Sequence, residues 1–267
     1  MIAQIISGIS LVLLFILVNK LHPLKMEVKS LVLASFFVIL ASVLNAFSLM
    51  VPLFGFPSLK IGFALLPLIV GGALLSPSWA YLLGLVYDIV GLLVKPTDFP
   101  FLGFTLSNVL VSVVPSLWFY YSTKFTQTKM YRMLIGILSI SCILVSLYLF
   151  NINSIKMGTE IFIINNYIKA AIILCTIVLS IIILIAYKYI SKKYSEDSSL
   201  LIRWIIIVFI VELFNNFMLT PMWLDTMYGI PWFLSLFTRI IKALVMVPIF
   251  SGVGFIMLKT SKKLLNK

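Results

Sequence analysis

Two basic residues, Arg239 and Lys242, lie inside the last membrane-length apolar run of the chain, from Pro231 to Leu258, which contains no acidic residue. On insertion scales, each charge at the centre of a membrane helix costs about 2.5 to 3.5 kcal/mol, so such charges are usually retained for a function. The i, i+3 spacing places both side chains on one face of a helix. Together they could bind an anionic ligand or an acidic residue on a neighbouring helix.

The composition determines the class of protein that must position these cations. Of the 267 residues, 62% are hydrophobic and 10% are charged, and the mean hydropathy is +1.18. These values exclude a soluble domain and predict an all-α, polytopic transmembrane helix bundle. Apolar runs of membrane-spanning length predict about nine helices, at residues 2–19, 30–51, 60–76, 78–95, 102–121, 132–150, 167–187, 200–220 and 231–258.

Most basic residues are concentrated in four stretches. A net charge of +12 would suggest nucleic-acid binding in a soluble chain, but this placement indicates membrane topology instead. With nine spans, all four stretches face the same side, which the positive-inside rule makes cytoplasmic. We therefore expect the C-terminus inside the cell and the N-terminus outside, with the first apolar run retained as a helix. The residues are Lys20, Lys25, Lys29, Lys124, Lys129, Arg132, Lys188, Lys192, Lys193, Arg203, Lys259, Lys262, Lys263 and Lys267.

Polar and turn-forming residues are unevenly distributed among the predicted spans. Residues 60–121 and 200–258 are rich in Gly, Pro, Trp, Tyr and isolated polar residues, whereas 132–150 and 167–187 consist mainly of Ile, Leu, Val, Ser and Cys and carry no charge away from their ends. Polar residues are tolerated at membrane depth where they line a cavity or pack against protein. The two rich regions are therefore the candidate ligand-binding regions.

Proline, glycine and cysteine residues within the spans predict how the helices pack. Pro67 removes a backbone hydrogen bond and is expected to loosen the third span. Gly71 and Gly72 are expected to let another helix approach closely. Cys142 and Cys175 fall in different spans without a CxxC spacing, so neither a disulfide framework nor a metal site is indicated.

The two rich regions also contain a series of short motifs. They are Lys60-Ile61-Gly62-Phe63 with Leu66-Pro67, Asp88 with Gly91, Pro96-Thr97, Phe101-Leu102-Gly103-Phe104-Thr105-Leu106-Ser107, Trp223-Leu224, Tyr228-Gly229 and Arg239-Ile240-Ile241-Lys242. In this order and spacing the motifs resemble the substrate-binding S-components of energy-coupling factor (ECF) transporters, most closely the folate-type group. Any one motif is weak, whereas the complete series is fairly specific.

The resemblance implies a six-helix S-component core with three additional helices. Core helices 1–4 would occupy residues 29–123, and core helices 5 and 6 would occupy residues 200–267. Residues 1–28 would add an N-terminal transmembrane helix with a cytoplasmic link, and residues 124–199 an inserted transmembrane hairpin. The family's ligand face, formed by loops before residue 60, at 95–101 and at 221–231, would lie outside the cell, in agreement with the charge pattern.

The function implied by the resemblance is vitamin capture rather than chemistry. The chain would bind folate or a related pterin on the extracellular side of the plasma membrane and release it into the cell. Its partners would be the lipid bilayer, a transmembrane coupling subunit and two ATPase subunits of an ABC-type importer. The chain has no GxxxxGK[ST] phosphate-binding loop, so the partners would hydrolyse ATP. No catalytic residue, metal, cofactor or nucleic acid is expected.

The implied site combines aromatic and basic side chains because folates are flat, aromatic and anionic. The ring could stack between aromatic residues, and the carboxylates could meet the cations. Asp88 could either accept hydrogen bonds from the ring or pair with Arg239. The predicted substrate-binding residues are Lys60, Phe63, Asp88, Phe104, Thr105, Trp223, Tyr228, Arg239 and Lys242.

The chain departs from the family pattern at two places. Thr220 and Pro221 stand where the pattern has Asn followed by Thr, which puts the exact substrate in question. The Ala-x-x-x-Ala motif that docks the first core helix on the coupling subunit corresponds here to Ser35 and Ile39.

Other interpretations remain open at this point. The ligand could be another vitamin, such as pantothenate, cobalamin or a queuosine precursor. An intramembrane enzyme is disfavoured because the chain lacks HExxH and has a single histidine, His22. In a structural membrane protein, Arg239 and Lys242 would form an internal ion pair with Asp88 or Glu212, the acids within spans. Trp223, Tyr228 and Trp232 would then belong to an interfacial aromatic belt.

Overall fold

Residues 2–53, 56–94, 100–157, 160–193 and 195–265 are described by the structure, which is a computed structural model. The helices are α1 (Ile2–Leu21), α2 (Val28–Ala46), α3 (Leu65–Leu74), α4 (Pro77–Val94), α5 (Leu102–Tyr121), α6 (Gln127–Asn151), α7 (Asn166–Lys193), α8 (Ser195–Val211), α9 (Thr220–Tyr228) and α10 (Trp232–Leu265). The strands are β1 (Leu49–Leu53), β2 (Phe56–Ile61), β3 (Ser154–Met157) and β4 (Glu160–Ile163). A 3-10 turn (Ser122–Lys124) follows α5, and a π-helical segment (Glu212–Leu219) joins α8 to α9.

Eight helical segments in the described ranges are long and apolar enough to cross a membrane. One of them runs without a break from Asp197 through the π-helical segment to Tyr228. Helix α3 is apolar but has ten residues, about half the length that a full span requires. The fold is thus the predicted all-α transmembrane bundle, and the chain is a multi-pass membrane protein.

The boundaries of three predicted spans are wrong. The run 30–51 ends as a helix at Ala46, and the run 60–76 begins as strand β2 before α3 starts. Pro52 and Pro57, which face each other across the β1–β2 hairpin, lack the N–H group that a continuous helix needs. The run 200–220 continues as helix through Tyr228, so the predicted loop at 221–231 is largely helical.

Helix α3 packs tightly because its glycines let neighbouring helices approach. A Cβ atom on Gly72 would lie 2.1 Å from the carbonyl oxygen of Ser112 in α5, and one on Gly71 would lie 2.7 Å from Leu83 in α4. The predicted close approach is therefore confirmed. Pro67 lies in the first turn of α3, where a backbone N–H has no partner within the helix, so it does not loosen the span as predicted.

The helix ends that carry the four basic stretches lie at one end of the bundle. Lys29 Nζ donates to the carbonyl oxygen of Leu265 at 2.9 Å, which joins the start of α2 to the end of α10. Trp118 Nε1 donates to the carbonyl oxygen of Arg203 at 2.9 Å, which joins the end of α5 to the start of α8. We call this the basic end, and the opposite end, where β1–β2 and β3–β4 lie, the hairpin end.

The remaining helices pack around this frame. Helix α1 contacts α4 and α5, and Tyr81 of α4 donates to the carbonyl oxygen of Leu11 at 3.1 Å. Helices α6 and α7 contact each other and α8, and α7 is the least buried of the candidate spans. Most of the α7 surface is therefore available to lipid or to a partner.

Candidate functional site

The cation pair of α10 faces an acidic residue on the π-helical segment. Arg239 and Glu212 are each only 3% exposed, and Lys242 is half-buried. Lys242 Nζ donates to Asn216 Oδ1 at 3.4 Å, and Asn216 Nδ2 donates in turn to Glu212 Oε2. Glu212 also interacts electrostatically with both cations. Of the two acids considered as partners of Arg239, Glu212 is therefore the one whose charge acts on it, although no ion pair within 4 Å joins the two among the described residues.

Arg239 retains an unused hydrogen-bond donor although it is buried. Among the residues that the structure describes, its Nε atom has no hydrogen-bond partner. A buried donor without a partner costs roughly 1 to 3 kcal/mol, more for a charged group, so its persistence points to a ligand. A carboxylate is the natural acceptor because its two oxygens match the fork of the guanidinium group.

The π-helical segment aims Glu212 and Asn216 toward α10. Both the backbone N–H and the hydroxyl of Thr220 donate to the carbonyl oxygen of Asn215. Pro221 follows directly and has no N–H to continue an α-helical pattern, which favours the wider turn. Such π-helical turns inside α-helices occur often at functional sites.

Asp88 lies in a second polar group, formed by α4 and α5. Its Oδ2 atom accepts a hydrogen bond from Thr105 Oγ1 at 2.6 Å, and its Oδ1 atom accepts one from Asn108 Nδ2 at 2.7 Å. Two of the predicted site residues, Asp88 and Thr105, are therefore brought into direct contact. Each carboxylate oxygen keeps a second lone pair with which it could accept a ligand donor.

Aromatic residues form a third group where α9 meets the start of α5. Trp223 is 5% exposed, and its ring meets that of Phe101 edge to face at 5.4 Å, while Phe101 meets Phe104 at 5.8 Å. Trp223 Nε1 donates to Ser107 Oγ at 2.9 Å. Gly103 makes room for both rings, since a Cβ atom there would lie 2.8 Å from Trp223. Trp223 is thus a buried anchor and not part of an interfacial belt.

The other predicted site residues lie nearer the surface. Lys60 is exposed on β2, a strand that contacts α10, and its charge interacts with that of Lys242. Phe63 is 41% exposed and Tyr228 is 44% exposed. The predicted linker at 95–100 falls outside the described residues except for its last member, Pro100.

Comparisons with known proteins bear on what this arrangement binds. No protein-family model matches the chain. Over 84 residues it is 30% identical to the folate transporter FolT of Clostridium novyi (strain NT), a match that covers 32% of this chain and 48% of that relative. The chain therefore spans about half the length of the curated relative it matches. In fold, 88% of the chain matches 96% of a crystal structure of FolT bound with folic acid, with a TM-score of 0.50 and 20% identity.

The chain is similar to FolT in sequence and in fold. This similarity confirms the resemblance to folate-type S-components that the motifs indicated. In the FolT-like fold, the three groups lie on the π-helical segment, on α9, and on the halves of α4, α5 and α10 nearest the hairpin end. The relatives found are transporters rather than enzymes.

Sequence reasoning missed several residues that complete the three groups. Asn216 bridges Glu212 to Lys242, Asn108 shares Asp88 with Thr105, and Phe101 and Ser107 hold Trp223. The adjacent amides Asn215 and Asn216 at membrane depth were a usable signal, because unpaired amides are costly there. Phe101 and Ser107 belong to one of the quoted motifs, but their residue types did not single them out as site residues, since similar residues occur throughout the apolar runs.

Proposed function

We propose that the chain is the membrane-embedded substrate-capture (S) subunit of an ECF-type importer and that it binds folate or a related pterin. Buried Arg239, with its unused Nε donor, is the observation that carries the proposal. A neutral ligand would leave this donor without a charged acceptor, whereas a folate carboxylate would supply one. The similarity to FolT, which has been crystallised bound with folic acid, supports the same ligand class.

The three groups suggest complementary roles for the nine predicted residues. Arg239, Lys242 and Lys60 would receive the carboxylates of the ligand. Phe104, Trp223, Phe63 and Tyr228 would supply apolar surface and ring contacts to the pterin. Asp88, held by Thr105, would accept hydrogen bonds from ring N–H groups.

Helix α2 would dock on the transmembrane coupling subunit. Its exposed face carries Val32, Ser35, Phe36 and Ile39, whereas its small residue Ala41 is fully buried in the core. Large apolar side chains would therefore make the contact that small alanines make in the family pattern. The coupling subunit and two ATPases would supply the energy for release. In this proposal, residues 1–28 and 124–199 surround the six-helix core, and the hairpin end faces outside.

Binding to the purified chain tests the proposed function. The chain in detergent is titrated with folic acid, with an uncharged pterin and with a panel of other vitamins, and calorimetry measures the heat of binding in each titration. We expect folic acid to bind at least tenfold more tightly than the uncharged pterin, because the uncharged pterin has no carboxylate to pair with Arg239. Absence of binding to every vitamin would contradict the S-subunit proposal.

A ligand with fewer negative charges is the second candidate, and Glu212 favours it. The buried carboxylate already offsets part of the charge of Arg239 and Lys242. A ligand with one carboxylate, such as pantothenate, would then balance the site more closely than folate with two. In the same titration, tight binding of pantothenate without binding of folic acid would replace the substrate and keep the S-subunit role.

A further inference from the structure

A cavity of about 440 Å³ has the α6–α7 pair on one side and α8, the π-helical segment and α10 on the other. Leu144 and Tyr148 of α6, Leu179 of α7 and Leu236 and Ala243 of α10 are among its wall residues. None of the nine predicted substrate-binding residues lines it. The cavity is therefore separate from the proposed vitamin site, although Glu212 belongs to the wall between them.

The polar side chains of the wall already form hydrogen bonds within the protein. The wall has four hydroxyl groups, and each donates to a backbone carbonyl oxygen. The donors are Ser141, Thr176, Ser180 and Tyr148, and the acceptors are Ile137, Ile173, Thr176 and Phe233, at 2.7 to 2.8 Å. A site for a polar solute would keep such protons available. Glu212 and Asn151 of the wall are also hydrogen-bonded within the fold, to Asn216 and to the carbonyl oxygen of Leu147. The cavity therefore offers an occupant mainly hydrocarbon contact.

The cavity extends from the hairpin end toward the middle of the predicted spans. Its residues come from the second half of α6, the middle of α7 and the first half of α10. Both α6 and α7 are long enough to span the membrane and are mostly unburied, so their outer faces are available to lipid. An empty space of this size would forfeit dispersion contacts on all its walls, and apolar walls disfavour water.

We propose that this cavity binds an acyl chain of a membrane phospholipid, which intercalates between the α6–α7 pair and α10. Hydrocarbon is the solvent at this depth and matches the chemistry of the wall. The end of the cavity nearest the hairpin end suits the headgroup of the same phospholipid. Trp232, half-exposed, and Asn151 line the cavity at the hairpin end. Lys169, hydrogen-bonded to Asn153 at 2.9 Å, places a cation nearby for the phosphate group.

A filling variant tests the proposal. Ala243→Trp places an indole in the cavity, whereas Val245→Trp, two residues on, adds the same side chain at a position that is 55% exposed and outside the wall. The proteins are equilibrated in vesicles of phosphatidylglycerol and phosphatidylcholine, extracted gently and examined by native mass spectrometry. We expect Ala243→Trp to lower the fraction of chains that retain a phospholipid at least fivefold, with Val245→Trp unchanged.

A second variant and a crosslinking measurement make the result decisive. Leu179→Trp fills the same cavity from α7, in case Ala243→Trp does not fold. A phospholipid with a diazirine in its acyl chain should crosslink to wall residues of α6, α7 and α10, and a diazirine-bearing free fatty acid should not compete at equal concentration. Retention within twofold of wild type in a folded filling variant would overturn the proposal. So would competition by the free fatty acid, or crosslinks confined to outer helix faces.

Discussion

Glu212 determines how much positive charge Arg239 and Lys242 can offer to a ligand. All three lie at membrane depth, where an ion pair gains from mutual attraction but loses the hydration of each partner. With two cations and one acid, the cluster keeps a formal surplus of one positive charge. A monoanionic group would neutralise this surplus, and the unused Nε donor of Arg239 indicates where it would sit.

Arg239→Ala should weaken folic acid binding at least tenfold, which corresponds to about 1.4 kcal/mol, because the carboxylate loses its charged donor. Calorimetric titration of the purified chain measures the change. Lys263→Ala, at an exposed position in the last turns of the same helix, is the matched control and should leave affinity unchanged. A loss of less than threefold for Arg239→Ala would mean that the cation pair has a structural role.

Glu212→Gln separates lost binding from lost folding in this experiment. The substitution keeps an oxygen that can accept from Asn216 while it removes the charge that competes with the ligand. Folic acid affinity should therefore hold or increase, even if the ligand-free protein melts at a lower temperature. A fall in affinity as large as that of Arg239→Ala would indicate that the cluster binds no anion.

A role could be assigned to a single residue from the sequence when the reason for that role lay in the residue itself and its neighbours along the chain. The charges of Arg239 and Lys242 in an apolar run, and the small size of Gly72, were visible without knowledge of neighbouring helices. The partner of Arg239 was not visible in the sequence, because Asp88 and Glu212 are both acids within spans. Only the packing of α4 against α5 shows that Asp88 accepts hydrogen bonds from Thr105 and Asn108.

Among the helices, α3 depends most strictly on its neighbours. Apolar run length predicted a full span at this place, yet a strand and a ten-residue helix share it. The sequence signal failed because hydrophobicity does not distinguish a buried strand from a buried helix over short runs. The prolines of the β1–β2 hairpin were the local evidence against a continuous helix.

Gly72→Ala should destabilise the protein by about 1 to 3 kcal/mol or more, because a methyl group 2.1 Å from the Ser112 carbonyl oxygen forces α3 and α5 apart. The midpoint of thermal aggregation in detergent measures the effect. Gly136→Ala in α6 is the matched control, since no atom from other parts of the described chain lies within 4 Å of a Cβ atom there, and it should be neutral or slightly stabilising. Equal midpoints for the two variants would contradict the tight α3–α5 contact.

At the scale of the molecule, the charge pattern and the fold agree on which helix ends lie together. The four basic stretches were placed on one side by counting spans, and contacts such as Lys29 with Leu265 join those ends. The count worked although the span boundaries were imperfect, because β2 and α3 together return the chain to the basic end, where Ser116 of α5 donates to the carbonyl oxygen of Leu75, and the number of crossings between basic stretches stays even. Which side of the membrane they face is a separate prediction.

Cysteine labelling of intact cells tests the orientation. In a background of Cys142→Ser and Cys175→Ser, Thr226→Cys places a thiol at the hairpin end and Leu264→Cys places one at the basic end, both at exposed positions. A membrane-impermeant maleimide should label Thr226→Cys in intact cells and Leu264→Cys only after lysis, because basic loops stay cytoplasmic. The reverse pattern would place the proposed vitamin site inside the cell.

The π-helical segment has a consequence for which side chains face α10. A π-helical turn holds one residue more than an α-helical turn, and successive α-helical residues differ by roughly 100° about the axis. Deleting one residue between Glu212 and Leu219 would therefore leave an α-helical turn that covers the same rotation, so α9 would keep its phase relative to α8 and Trp223 its contact with Ser107. The residues inside the segment would shift instead, and Asn216 would turn away from Lys242. The extra residue thus directs side chains of the segment toward α10 without changing the alignment of the helices on either side.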